Sequence, residues 1–230
     1  MEDVAAELCF THSLSGHPNV VEYVDGWLSP TQGVLVTKLG DDSWAGILQR
    51  TRLSRLEEHD SLKLIRDMFS GLAHLHSHEV AHRDMKPANM TVCAGSIHIV
   101  HLGSACRVDD PAITETVITT FPYRAPEVIL KCKNPRGKYV GCGKAGDMWA
   151  CGCIIAEAWR ARAGQGRLFP LLDGQEPELI RSIVNLIGPR HNIAGYEKHA
   201  QPERVADPSY VLRGTLTEEV LKAPQCGGLL

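Results

Sequence analysis

Apolar positions recur with helical spacing in one long stretch of the chain and as short β-branched runs in several others. Leu62, Ile65, Phe69 and Leu72, widened by Leu64, Met68 and Leu75, form a stripe of helical period. It predicts a buried helix of about 18 residues ending near Ser77. Ser54-x-x-Glu57, just ahead of it, has the pattern of a capping box. Residues 1–16 read as an earlier helix, running from Val4 through Leu8 to about Ser13 and broken at Gly16. Pro18 disfavours helix at His17. Residues 20–24 then turn extended, and Trp27 and Leu28 close that strand. A turn over 30–33 leads to a second short strand, 33–37, so a hairpin follows the first helix. Two further extended pieces, 90–93 and 97–100, flank Ala94-Gly95-Ser96 and predict another hairpin. Residues 178–187 are helix-like, and 188–230 are interrupted by Pro and Gly and weakly periodic.

With 230 residues, 43% of them hydrophobic, the chain can bury a core as one domain or one large lobe. A net charge of −3 argues against a nucleic-acid surface. The first residues are acidic and lack the apolar core of a signal peptide, and no apolar run approaches the roughly 20 residues that span a bilayer. The expectation is a soluble intracellular protein, cytoplasmic and/or nuclear. The eight cysteines are irregularly spaced with no C-x-x-C pair, which suits reduced thiols packed as small hydrophobes. His74, His76 and His78 alternate at a helix end, a poor spacing for a metal site there.

The chemistry concentrates in His82-Arg83-Asp84-Met85-Lys86-Pro87-Ala88-Asn89. An aspartate can take a proton from an attacking hydroxyl. A lysine two residues on can neutralise phosphate oxygens, and an asparagine five residues on can offer an amide oxygen to Mg²⁺. The stretch resembles the catalytic loop of protein kinases. Three other segments resemble that family in the right order: His17-Pro18-Asn19-Val20; Tyr123-Arg124-Ala125-Pro126-Glu127; and the run from Asp147 to Glu157, followed by Leu168-Phe169-Pro170. The likeness covers roughly residues 4–188 and is to the MAP-kinase-like (CMGC) branch of serine/threonine kinases.

The resemblance implies an α+β, protein-kinase-like fold, mostly the helical large lobe with a partial small lobe. Residues 1–38 would be the partial small lobe, 39–188 the large lobe, and 189–230 a poorly determined C-terminal segment. Asp84, Lys86, Asn89 and Thr120 would be catalytic, with Asn89 also holding a metal ion. Thr37 would border the adenine pocket, Lys38, Leu39 and Gly40 would form the hinge, and Glu7 would be the glutamate of the small-lobe helix. Asp147 would hold the catalytic loop through backbone N–H groups. The cofactors implied are ATP and Mg²⁺, and the partner a protein substrate or a member of a kinase cascade.

Several departures stand against this pattern. Where the family keeps D-F-G, the chain reads His101-Leu102-Gly103, placing an imidazole at the second metal-ligand position. The first Lys or Arg is Lys38, so a phosphate-binding lysine and a glycine-rich loop would have to lie ahead of Met1. The expectation is a chain truncated at both ends. The T-x-Y pair of MAP kinases is replaced by Glu115-Thr116-Val117, and Thr114, Thr116 and Thr119 remain as phosphorylation candidates. The arginine that pairs with Glu127 in the family has no clear counterpart here: Glu127 either lacks its partner or takes Arg190 or Arg204. Two readings follow: an impaired serine/threonine kinase, or a catalytically inactive pseudokinase that binds proteins. A small-molecule phosphotransferase shares the loop but not the segment 123–127 or the Asp147 helix.

Overall fold

The computed structural model describes residues 2–49, 58–110, 118–131, 143–165, 167–169 and 174–187. The chain divides into two compact units, Met1–Pro170 and Leu171–Leu230. In the first, helix α1 (Glu2–Leu14) ends before Gly16, whose φ of +96° turns the chain. Strands β1 (Tyr23–Leu28) and β2 (Gly33–Thr37) form an antiparallel hairpin. The short β3 (Asp42–Ser43) and α2 (Trp44–Gln49) lead to α3 (Glu58–Ser77). After β4 (Val80–Ala81) comes a hairpin of β5 (Met90–Cys93) and β6 (Ser96–Ile99), then β7 (Cys106–Arg107), α4 (Pro126–Ile129) and α5 (Lys144–Arg162). β3, β5 and β6 form one sheet, and β4 pairs with β7. In the second unit the described element is α6 (Glu176–Ile187), with Leu179, Ile180, Ile183 and Val184 buried.

One core joins α1, α3, β6 and α5 of the first unit. Met68, Leu72 and Leu75 of α3 are fully buried together with Leu14 of α1, Ile97 and Ile99 of β6 and Ile154 of α5. Each such side chain contributes roughly 1.5–3 kcal/mol by leaving water. The buried stripe of α3 is centred on Leu64, Met68, Leu72 and Leu75. Leu62, expected within it, is 52% exposed because it falls about a third of a turn from the centre of that line. The first extended run also differs from expectation. Residues 20–21 do not begin β1. Val21 N–H donates to Ile99 O at 2.9 Å, Ile99 N–H donates to Asn19 O at 3.0 Å, and Val20 bridges β6 in parallel. The 17–21 segment is thus stitched to the second hairpin, and β1 starts at Tyr23. The capping box at Ser54 and Glu57, Thr114 and Thr116, and Arg190 and Arg204 lie outside the described residues.

The β1–β2 hairpin packs one face on α1, and its two strands pair only with each other among the described residues. The other face leaves Trp27 half exposed and Val36 partly so. The described cysteines are free, as expected. Burial pushes the Cys151 and Cys153 thiols up to about 12, which leaves them unreactive and packed like small apolar groups.

Gly71 lets α3 touch the 17–21 segment: a Cβ there would collide with Asn19 O and sit 3.1 Å from Ile99 Cδ1. Alanine favours helix by about 1 kcal/mol over glycine, but overpacking against fixed backbone costs about 1–3 kcal/mol. Gly71→Ala is therefore expected to lower stability by about 1 kcal/mol in urea unfolding. A gain would show that the segment can move aside.

Candidate active site

The site is built on a buried carboxylate. Asp147, 1% exposed in the first turn of α5, accepts the His82 backbone N–H at 2.9 Å and the Arg83 backbone N–H at 2.8 Å, one on each oxygen. His76 Nε2 of α3 lies 2.9 Å from the same oxygen that takes His82. Two consecutive N–H groups can converge on one side chain because Arg83 adopts φ +69°, a left-handed conformation uncommon outside glycine. The cost of that backbone is held by its surroundings. His82, fully buried, braces the loop from within: Asp84 N–H donates to its Nδ1 at 3.2 Å, so its Nε2 carries the proton that reaches Val100 O at 3.1 Å.

The loop presents Asp84 to four donors. Thr120 gives its backbone N–H (3.0 Å) and its hydroxyl (2.6 Å) to Oδ1; Lys86 Nζ (2.7 Å) and Asn89 Nδ2 (2.9 Å) reach Oδ2. Lys86 Nζ also donates to Thr120 Oγ at 2.8 Å, which closes a ring of three side chains. Asn89 Nδ2 donates a second bond, to Asp84 O at 2.7 Å. Both amide hydrogens are thereby used, and Oδ1 is the Asn89 atom left for a cation. Burial would raise the Asp84 carboxyl, but the bonds from Lys86 and Thr120 and the lysine charge outweigh it and hold it below the usual carboxylate range.

Asp84, Asn89, His101 and Glu7 line one cleft of about 440 Å³, with Gly103, Ser104 and Ile118. Helix α1 reaches the turn 102–104 closely because residue 103 is glycine; a Cβ there would sit 3.2 Å from Glu7 Oε2. Glu7 Oε1 lies 3.7 Å from His101 Nδ1. His101 has φ +62° and ψ +65° and a largely exposed side chain. Thr37, Lys38, Leu39 and Gly40 do not line this cleft. Lys38 N–H is taken by Glu22 O at 3.0 Å, Leu39 is 89% exposed, and Gly40 packs on Thr91 Oγ.

The donors do not fit a pair of Mg²⁺ ions, which need several hard oxygens in octahedral geometry. The Asp84 carboxylate is committed to its four donors, Asn89 supplies a single amide oxygen, and His101 offers nitrogen in place of a carboxylate.

Three structural roles were not foreseen from sequence: His82 as an internal strut, His76 on Asp147, and Tyr123. The Tyr123 hydroxyl donates to the buried Glu157 at 2.7 Å, and burial followed by the Glu157 charge raises the phenol far above its ordinary value.

Residues 1–166 match the family model described as protein kinase domain. The chain is 34% identical over 185 residues to the mitogen-activated protein kinase mpkC of Aspergillus oryzae, covering 74% of this chain and 49% of that protein. It is 35% identical over 158 residues to the mitogen-activated protein kinase hog1 of Blastobotrys adeninivorans, covering 67% and 35% respectively. Among solved structures it resembles a chain of the yeast RNA Pol II CTD kinase CTDK-1 complex, with a TM-score of 0.67, 25% identity, and coverage of 82% of this chain and 58% of that one. The chain therefore belongs to the protein kinase domain family, with a sequence of MAP-kinase-like, serine/threonine type and the α+β fold of that family. It spans about half or less of the length of these curated relatives. The family uses ATP and Mg²⁺ and acts on proteins. Among the described residues no helix is long and apolar enough to cross a membrane.

Asp84 has a lowered folded-state value, so its ionisation adds stability that is fully present above the unfolded carboxyl value of about 4 and is lost as pH falls through the lowered folded value. Asp84→Asn is expected to flatten the fall in urea stability below about pH 4. Equal acid slopes in the two proteins would contradict the assignment.

Proposed function

We propose that this domain is a serine/threonine-type protein kinase domain whose hydroxyl-activating half is assembled and whose metal-binding half is altered, so that phosphoryl transfer is slow. The carrying observation is the ring of Asp84, Lys86 and Thr120 on a loop fixed by Asp147. In this reading a substrate Ser or Thr hydroxyl takes the place of the Thr120 hydroxyl on Asp84 Oδ1 and gives up its proton there. Lys86, already beside that oxygen, then faces the phosphoryl oxygens and neutralises their charge. Asn89 holds Asp84 in orientation through two bonds from one amide. ATP would be the donor, with its adenine beside Thr37 and the backbone of Lys38, Leu39 and Gly40 and with Glu7 bordering the phosphates. The partner would be a protein substrate or a member of a kinase cascade, in the cytoplasm and/or nucleus. The MAP-kinase relatives support this choice.

A second reading, a non-catalytic module that binds proteins through the same surface, is favoured by His101, since the imidazole brings no negative charge to hold Mg²⁺ with the triphosphate.

Transfer of labelled γ-phosphate from ATP to a Ser/Thr peptide library separates the two. Slow transfer that Asp84→Asn lowers about 100-fold or more supports the first reading. Transfer indifferent to Asp84→Asn refutes the roles given to this loop. Absence of transfer by the folded full chain leaves the binding-module reading.

A further inference from the structure

Three imidazoles gather where the end of α1 meets α3. The His17 and His74 rings stack 4.6 Å apart at 20° to each other, and the His78 ring lies 4.5 Å from that of His74. Each ring has a fixed partner. His17 Nδ1 accepts the Asn19 N–H at 3.1 Å, so the proton of the neutral ring is on Nε2, 3.4 Å from Ser70 Oγ. His74 Nε2 donates to the carbonyl of Leu14, the last residue of α1, at 3.1 Å. His78 Nδ1 donates to His74 O at 2.9 Å.

The first of these bonds holds a joint. Asn19 gives its side-chain N–H to Ile97 O and accepts the Ile99 N–H on its carbonyl, and the Val21 N–H reaches Ile99 O. The connection between α1 and β1 is thus fastened to β6 at Asn19, and His17 fixes the Asn19 backbone. A proton on His17 Nδ1 turns that acceptor into a donor facing another donor, and the bond to the Asn19 N–H is lost. A proton on His74 leaves its bond to Leu14 O in place, because Nε2 donates in both forms. It sets a positive charge against the His17 ring. We propose that His17, with His74 stacked on it, is an acid-sensitive latch whose protonation frees the α1–β1 connection from β6 and loosens α1, the helix that carries Glu7 to the cleft.

Burial, and then the His74 ring, holds His17 below the ordinary imidazole range, with no carboxylate acting on it. The other charged groups around the joint have partners of their own. His12 of α1 meets the Tyr23 ring edge-on at 4.9 Å, and Glu79, next to His78, pairs with Lys144. His98 of β6 bonds the Val20 backbone, and Lys38, Asp67 and Glu22 are the charges that act on it. Because the folded value of His17 is lowered, its stabilisation is complete above the ordinary imidazole value of about 6.5 and is lost as pH falls through the lowered one.

The latch does not rest on phosphoryl transfer, so it is tested without nucleotide. Amide exchange of the full chain is followed at Val21 and Ile99, with the buried amides of α5 as reference. Protection at the two sites, corrected for the intrinsic pH dependence of exchange, should fall about threefold or more relative to α5 between about pH 7.5 and about pH 5. His17→Asn keeps an acceptor for the Asn19 N–H, since the amide oxygen takes the place of Nδ1, and it does not titrate; it should abolish the fall. His74→Gln keeps a donor toward Leu14 O and removes the neighbouring charge, so the fall should move to higher pH. His78→Asn should change neither. Protection that is flat with pH in the unmodified chain, a fall that survives His17→Asn, or one that disappears with His98→Gln would overturn the proposal. Should the His17 variant misfold, His74→Gln decides: a fall at unchanged pH refutes the coupling of the two rings.

Discussion

Everything in the cleft depends on one desolvated carboxylate. Asp147 sits on a helix whose Ala150, Cys151, Ile154 and Ala158 are locked into the core, so its two oxygens are fixed in space. Burying that charge is costly unless donors surround it. The donors are the backbone N–H groups of His82 and Arg83, with His76 alongside. This demand forces Arg83 into a left-handed conformation and thereby aims Asp84, the next residue, at Thr120 and Lys86. The chain thus converts a solvation penalty beneath the loop into the orientation of the Asp84 carboxylate. The same loop is tied from the other side, where His82 reaches Val100 and Val100 N–H reaches Asn89 O.

Much of this was legible in the sequence because the relevant signals were local. The stripe through Leu64 to Leu75, the break at Gly16 and the hairpin around Ala94-Gly95 each follow from short-range periodicity or turn chemistry, and the helix, break and hairpin stand where they were expected. Asp147 was expected as the loop's anchor from the family resemblance, and its burial accords with the need of such a carboxylate for N–H partners. Thr120 was expected to join Asp84 and Lys86, and the three do meet. What escaped was non-local. Residues 20–21 looked like the start of β1 because valines favour strand, but their partner is β6, 78 residues away in sequence as measured from Asn19 to Ile97. Leu62 has the right residue type for the stripe and the wrong angle. Histidines at 76 and 82 carry no sequence signature of their roles, since alternation near a helix end does not reveal which carbonyl or carboxylate each ring will meet.

The two halves of the site differ in how far they follow the family. The hydroxyl-facing half carries the residue types that the family resemblance implies, and they meet in one hydrogen-bonded ring. The opposite wall has been rebuilt: His101 stands where an aspartate is usual, and Glu7, carried by α1, comes to rest against Gly103 and that imidazole. A carboxylate beside a ring nitrogen is a different electrostatic environment from two carboxylates and a lysine. It lowers the negative charge of the wall. The intact half explains why the sequence is read as a kinase domain, and the altered half explains why slow transfer is the expectation.

The most direct test of this account is native-state amide exchange at His82 and Arg83. If Asp147 organises the loop, these two N–H groups should exchange as slowly as the buried segments of α5, and both should lose most of that protection in Asp147→Asn. Fast exchange at 82 and 83 in the unmodified protein, at the rate of exposed loops, would contradict the claim that the loop is held from below.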